Sequence, residues 1–235
     1  MLRVLGLIIF IAGIVGTWFL VLPRGDAEKD FALSNFNSVH ISDGIWGKIY
    51  ISENHGVRVR VLRGELDNIV LERRGGTLNV SVDQTEGFFG PWARNRYQVT
   101  IWMPSVSKVV TDNDASVEIV SGIIGDLEAQ SHNESNLLVS EIIGTTVSAT
   151  ATEGGSLTIM GVCNHLRAYA ETKGSVSANG LECISATADA RSDGEIEARA
   201  YEQADLSALG GRIEIYGGAE ITRKRALLGG EIVRR

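Results

Sequence analysis

The sequence predicts an all-β protein whose main part is a right-handed parallel β-helix, a form of β-solenoid, preceded by a single membrane helix. Three observations lead to this prediction. They are a repeat of about 20 residues in the second half of the chain, short stretches of alternating apolar and polar residues, and an uncharged amino-terminal run. The 235 residues include 27 glycines but only 3 prolines, a balance that suits many tight turns rather than a disordered linker.

The repeat begins after Ser105 and consists of two series of short alternating segments that run in step. Segments of the first series start 20, 20, 19, 20 and 17 residues apart, at Ser116, Asn136, Ser156, Ser175, Glu195 and Arg212. Segments of the second series start 20, 19, 18 and 22 residues apart, at Asp126, Thr146, His165, Cys183 and Asp205. Each unit is therefore predicted to hold two short strands, with turns between them.

Either an antiparallel meander or a solenoid could place two strands in each repeat. In a meander, neighbouring strands need not resemble each other at a fixed double interval. In a solenoid, each coil must resemble the coil below it, because the same inward positions stack. The pattern favours a parallel β-helix that rises about 4.8 Å per coil, with right-handed winding as the default. Val117, Leu137 and Leu157 should then lie in one column of the core.

The part of the chain before Ser105 carries longer alternating stretches, in 56–61, 68–71, 77–82 and 97–102. We expect these strands to form a β-sandwich-like start or cap over the first coil, because an open end would expose unpaired strand edges. At the other end, Arg223-Lys224-Arg225 and Arg234-Arg235 place charge where the last edge would lie. The predicted domains are an anchor in 1–25, the cap in 31–104 and the repeats in 105–232.

The apolar run from Val4 to Leu22 contains no charged residue over 19 positions. As a helix it would be roughly 28 Å long, close to the thickness of a bilayer's hydrocarbon core. It is longer than the apolar part of a usual signal peptide and ends without a small-x-small cleavage site, which favours an uncleaved anchor over a cleaved signal. Either alternative places the chain from Asp26 onward outside the cytoplasm, in the cell envelope or at the surface.

The net charge of −7 and the pI near 5.2 argue against a nucleic-acid partner, because phosphates require a basic surface. The partners that the sequence favours are the membrane, through the amino-terminal helix, and a protein or glycan at the envelope. No cofactor or metal site is predicted. The four histidines, His40, His55, His132 and His165, show no metal-ligand spacing and are expected at the surface.

Several local motifs resemble the head GIN domain family of auto-transporter adhesins. They are Phe36-Asn-Ser-Val39, Val99-Thr-Ile-Trp-Met-Pro104, and the closing motifs Gly210 to Gly217 and Leu228 to Ile232. The resemblance covers about Phe31 to Ile232 and implies an exported β-solenoid with an adhesive role. It supplies no catalytic residues. The chain departs from the family where Ala219-Glu220 replaces a usual proline.

Two groups of residues are candidates for a site or a cross-link. Cys163 and Cys183 lie one repeat apart, so they could form a disulfide or remain two buried thiols. The loop that holds Phe88, Phe89 and Trp92 could contact lipid headgroups, a glycan or a protein, or could fold back over the open core end as a cap.

Stacked carboxylates would indicate a carbohydrate-active enzyme, since some β-helices use such groups for acid–base chemistry. The candidates are Asp112 and Asp114, which would face Asn133 and Glu134 on the next coil, and the turn group Asp189, Arg191 and Asp193. Acidic turns are also expected on any acidic solenoid. The leading prediction is therefore a non-enzymatic envelope protein that presents a rigid surface for adhesion. The alternatives are a polysaccharide lyase or hydrolase and, last, an envelope stress or regulatory component.

Overall fold

The computed structural model describes residues 27–83, 96–120 and 122–235, in which the regular structure is β-strand apart from one short 3-10 helix at Leu66–Asn68. The strands before the repeat are β1 (Ala27–Phe31), β2 (Ser38–Ile41), β3 (Trp46–Ile51), β4 (Gly56–Arg63), β5 (Ile69–Arg74), β6 (Thr77–Val82) and β7 (Arg96–Met103). The strands of the repeat are β8 (Lys108–Thr111), β9 (Ser116–Ile119), β10 (Ile123–Ile124), β11 (Leu127–Ser131), β12 (Asn136–Thr152), β13 (Ser156–Glu171), β14 (Ser175–Arg191), β15 (Glu195–Leu209), β16 (Arg212–Tyr216), β17 (Glu220–Leu227) and β18 (Glu231–Arg234).

Apart from β1, β4 and β5, these strands stack in parallel into a solenoid of about six turns, which confirms the prediction of an all-β solenoid. One face is formed by β9, the first residues of β12 to β15, β16 and β18. We call it, together with β3 and β7, the Trp46 face. A second face, the alanine face, is formed by β8, β11, the last residues of β12 to β15, and β17.

A third, short face joins these two, so the prediction of two strands per coil was incomplete. It is formed by β10, which has two residues, and by the middle residues of the long strands β12 to β14. Ile142 pairs with Gly161, and Gly161 pairs with Leu181, on successive coils. A segment of two or three residues is too short to show an alternating pattern in the sequence.

The core consists of inward side chains that stack in columns. Val117 pairs with Leu137 and Leu137 with Leu157, and the three are at most 3% exposed, as the repeat predicts. The column continues through Val176, Ile196, Ile213 and Ile232. On the alanine face the matching column holds Ala129, Ala149, Ala168 and Ala188. Small side chains in successive coils keep the core narrow.

The strands at the amino-terminal end are not stacked in the order of the sequence. The coil of β2 and β3 lies between β6 and β7 on one side and β8 and β9 on the other, all in parallel. Three antiparallel strands then extend the two faces at this end: β5 pairs with β6, β4 with β7, and β1 with β4. The strands before the repeat therefore lengthen the sheets at this end and do not form the β-sandwich-like cap that the sequence predicted.

The turns between the alanine face and the Trp46 face are built from pairs of residues with positive φ. Examples are Asn113 and Asp114, at φ 47° and 62°, and Asn133 and Glu134, at 48° and 60°. Hydrogen bonds between coils continue through these turns, as in Asp114 N to Asn133 O at 3.1 Å. The ladder therefore holds the left-handed conformation that non-glycine residues otherwise disfavour.

In the last five of these turns, the residue that follows the turn lies against the backbone of the preceding coil. A Cβ atom built on it would contact a main-chain carbonyl group at 2.1–2.7 Å in five successive coils, at Gly155, Gly174, Gly194, Gly211 and Gly230. These five positions require glycine because a side chain there would meet the backbone of the preceding coil, whereas the equivalent positions of earlier coils hold Ile45, Ala115 and Ser135.

Among the described residues, no helix is long and apolar enough to cross a membrane. The run from Val4 to Leu22 and the loop with Phe88, Phe89 and Trp92 lie outside the described residues. The predictions of an anchor and of a contact loop therefore stay predictions.

Replacing Gly174 with alanine should destabilise the fold by about 1–3 kcal/mol or more, because its Cβ would lie 2.1 Å from the Ala151 carbonyl oxygen. Gly218→Ala is the matched control, since its Cβ would meet nothing nearer than the Tyr201 carbonyl oxygen at 4.0 Å. Urea unfolding of the full chain, followed by circular dichroism, measures both variants. Equal stabilities would contradict the close stacking at this corner.

Candidate functional site

The two cysteines lie on the short face in register on adjacent coils. Cys163 pairs with Cys183, their Cα atoms are 4.5 Å apart, and the structure joins them in a disulfide. Both residues are buried, at 6% and 1% exposure. The bond links β13 to β14 in the interior, so it cross-links two adjacent coils and is shielded from solvent.

The first carboxylate candidate, Asp112, holds a turn. Its Oδ1 accepts hydrogen bonds from the Asn113 main-chain N–H at 2.9 Å and from Asn133 Nδ2 on the next coil at 2.7 Å. Asp114 contributes its main-chain N–H to the ladder through the same turn. These contacts fasten successive turns together.

The second carboxylate candidate is an ion pair. Both Asp189 oxygens accept hydrogen bonds from Arg191, the shortest at 2.7 Å, and the Arg191 guanidinium lies over the Tyr169 ring at 5.6 Å. Asp193 lies in the following turn and donates its main-chain N–H to Gly210. Across the described ranges, no three His, Cys, Asp or Glu side chains are grouped to hold a metal ion.

The histidines are half-buried rather than fully exposed, and three of them make contacts between segments. His132 Nδ1 lies 2.7 Å from Thr152 Oγ1, and His165 Nδ1 lies 2.9 Å from Ser185 Oγ, in each case on the next coil. Burial lowers the pKa of both imidazoles. His55 Nε2 lies 2.9 Å from the Phe36 carbonyl oxygen. These contacts assign the three side chains a structural role.

The structure reveals a surface that the sequence did not indicate, a depression beside Trp46 on the Trp46 face. Trp46 is the first residue of β3, and its side chain is 55% exposed. The depression is open to solvent and has a volume of about 480 Å³. Its lining is formed by Trp46, Gly47, Lys48, Gln98, Ser116, Val117, Glu118, Asn136, Leu137, Leu138, Ser156 and Thr158. We call this surface the Trp46 depression.

Parallel pairing sets the order of the side chains along the Trp46 depression. Outward residues form a ladder in which Trp46 lies between Gln98 and Ser116, followed by Asn136 and Ser156. Its neighbours in this ladder have smaller side chains, so the indole forms a wall within the depression, between Gln98 and Ser116.

A second ladder of outward residues runs alongside the first. It contains Lys48, Glu118, Leu138 and Thr158 in successive coils. Lys48 Nζ and Glu118 Oε2 are 3.3 Å apart. The two charges in the lining therefore compensate each other, and the rest of the polar lining is neutral.

The last coils of the Trp46 face carry charged outward side chains. Glu214 accepts hydrogen bonds from Arg212 Nη2 at 2.6 Å, from Arg235 Nε at 3.0 Å and from the Tyr216 hydroxyl at 3.0 Å. The bonds from Arg235 and Arg212 lower the pKa of Glu214 to about 2. The outward charges here bind one another and fasten the carboxyl-terminal edge.

The geometry defines an all-β protein of the β-solenoid class. The chain belongs to the family described as "Putative auto-transporter adhesin, head GIN domain", which matches residues 35–219. This match confirms the family resemblance of the sequence, over a shorter range than Phe31 to Ile232.

Solved structures share the fold. A Bacteroides fragilis protein described as a "putative adhesin" has a TM-score of 0.78 at 17% identity, over 90% of this chain and 97% of that chain. A Parabacteroides distasonis protein with the same description has a TM-score of 0.71 at 14% identity, over 91% and 98%. A second P. distasonis protein, described as a "Putative lipid binding protein", has a TM-score of 0.68 at 16% identity, over 91% and 98%. The chain matches no curated protein.

Replacing both cysteines with alanine should lower the free energy of unfolding by about 3 kcal/mol, the entropy that a cross-link of this spacing removes from the unfolded chain. The loop it closes spans 20 residues. Urea unfolding of the oxidised protein and of the Cys163→Ala/Cys183→Ala variant measures the difference, with the reduced protein as control. Alkylation of both thiols in the unreduced, denatured protein would contradict the disulfide.

The Glu214 ion pairs should make the free energy of unfolding depend on pH. Because folding lowers this pKa from 4.5 to about 2, the carboxylate stabilises the fold fully above about pH 4.5. The contribution falls as the pH drops and is lost below about pH 2. Urea unfolding should therefore show a destabilisation by Glu214→Gln at pH 6 that shrinks at pH 3. Glu195→Gln, an exposed change on the same face, is the control, and a gap independent of pH would refute the role of Glu214.

Proposed function

We propose that the chain is a non-enzymatic cell-envelope protein that presents a rigid β-solenoid surface for adhesion to a protein or glycan. The observation that carries the proposal is the Trp46 depression, an exposed indole surrounded by polar side chains on a stacked, rigid face. Adhesion is also the role that the family description suggests. Outward positions of a solenoid can carry such a surface because they can change without altering the core.

The chemistry of the outer faces supports binding over catalysis. Glycoside hydrolysis usually needs two carboxyl groups flanking the scissile bond, about 5–9.5 Å apart. Among the described residues that line the Trp46 depression, Glu118 is the only carboxylate, and it is paired with Lys48. Asp112 and Asp189 are likewise engaged within turns. A carbohydrate-active enzyme is the alternative that the experiment below distinguishes.

The proposed location is the cell envelope, with the solenoid outside the cytoplasm and the run from Val4 to Leu22 as its membrane anchor. The family description of auto-transporter adhesins supports an envelope or surface location. The disulfide between Cys163 and Cys183 supports an oxidising compartment, where such bonds persist. We also propose that the solenoid winds in the right-handed sense that is usual for parallel crossovers.

Bacteria that produce the full chain should adhere to surfaces coated with a glycan or a protein more strongly than the same bacteria with an empty vector. Proteinase added to intact cells or spheroplasts should remove the solenoid, because it lies outside the cytoplasmic membrane. The coating is analysed for released sugars in parallel. Glycan cleavage by the purified chain would establish the enzymatic alternative, and equal adhesion of both strains would refute the proposal.

A further inference from the structure

We infer that the Trp46 depression binds a neutral oligosaccharide, with a sugar ring packed against the Trp46 indole. The inference rests on the proposed adhesive function and specifies the ligand class and the site. Three properties of the depression lead to it: an exposed aromatic wall, a set of unpaired neutral polar side chains, and compensated charge.

The aromatic wall comes first. Trp46 is 55% exposed at the start of a strand whose inward residues are buried. An indole offers a large, rigid apolar surface and an N–H donor, at little conformational cost. Sugar rings have one apolar face of C–H groups and a rim of hydroxyl groups, so they suit such a surface beside polar groups.

The polar lining supplies the complementary hydrogen bonds. Gln98 and Asn136 carry amides, and Ser116, Ser156 and Thr158 carry hydroxyls. Amides and hydroxyls both donate and accept hydrogen bonds, as sugar hydroxyls do. Within the described part of the chain, none of these five side chains forms a hydrogen bond to another protein group. They are therefore available to a ligand in place of water.

The charge balance decides between neutral and anionic sugars. Lys48 is the only cation among the described lining residues, and Glu118 neutralises it at 3.3 Å. An acidic glycan or a phosphate would need an unpaired cation, and it would be repelled by Glu118. A neutral ligand needs no unpaired cation and is not repelled by Glu118, so the site favours a neutral ligand.

The extent of the ladder favours a chain of sugars over a single one. Gln98, Trp46, Ser116, Asn136 and Ser156 follow one another on adjacent strands. Four steps of about 4.8 Å give a row roughly 19 Å long. The regular spacing of polar groups matches a ligand that also repeats along its length.

The experiment uses the full chain in detergent on an array of neutral and acidic oligosaccharides, followed by calorimetry with the neutral hexasaccharide that binds best. Trp46→Ala should weaken that binding at least 10-fold, and Asn136→Ala should weaken it several-fold. Tyr201→Ala is the matched control, because Tyr201 is another exposed aromatic residue, at 48%, outside the Trp46 depression. It should leave the affinity unchanged within two-fold.

A second variant tests the charge argument. Glu118→Gln should leave Lys48 without its carboxylate partner and should raise the affinity for a hyaluronan hexasaccharide at least 10-fold over that of the unmodified chain. The neutral hexasaccharide should still bind. Circular dichroism verifies that each variant is folded.

The inference is overturned if no neutral oligosaccharide on the array binds, or if Trp46→Ala binds as well as the unmodified chain. In that case, the proposed function still holds if bacteria that produce the chain adhere to a protein-coated surface. It is refuted as well if these bacteria adhere to no coated surface.

Discussion

The structure depends on the in-register stacking of parallel backbone ladders, which continues from the strands through the turns. Because Asp114 donates to Asn133 and Glu134 donates to Glu153, every coil must repeat the backbone path of its neighbour. Left-handed residues cost on the order of 1–3 kcal/mol each, and the ladder compensates for that cost by satisfying their main-chain groups. Core columns and obligatory glycines follow from the same constraint, since each inward atom meets an equivalent atom one coil away.

This constraint restricts the inward side chains of the solenoid but not the outward ones. The same ladder can therefore carry different outward side chains in different coils. Near the cap, the outward positions of the Trp46 face hold an indole, amides and hydroxyls. In the last coils, the same positions hold Arg212 and Glu214, which bind each other and fasten the carboxyl-terminal edge. Outward polar groups thus pair among themselves in the last coils, whereas among the described residues beside Trp46 only Lys48 and Glu118 do so.

The regular part of the fold could be predicted because its signal is local and repeated. Val117, Leu137 and Leu157 stack as their spacing requires, and Cys163 lies beside Cys183 for the same reason. The buried cluster of hydroxyl groups could not be predicted, since serine in a turn is normally exposed. Ser135 is fully buried, and its hydroxyl lies 2.9 Å from both Thr111 Oγ1 and Ser131 Oγ.

The candidate site could not be predicted because the cap reverses the order of its coils. Trp46 lies between Gln98 and Ser116, which are remote from it in sequence, and no repeat relates the three. Gly47, the next residue, faces the core on the opposite side of the strand, where a Cβ would lie 2.6 Å from Ile41 Cδ1 and 3.1 Å from Val117 Cγ2. The strand is therefore tightly packed on its inner side, while Trp46 projects from its outer side. Parallel pairing on both sides of β3 fixes the backbone beneath the indole, so a ligand bound there would cost little backbone entropy.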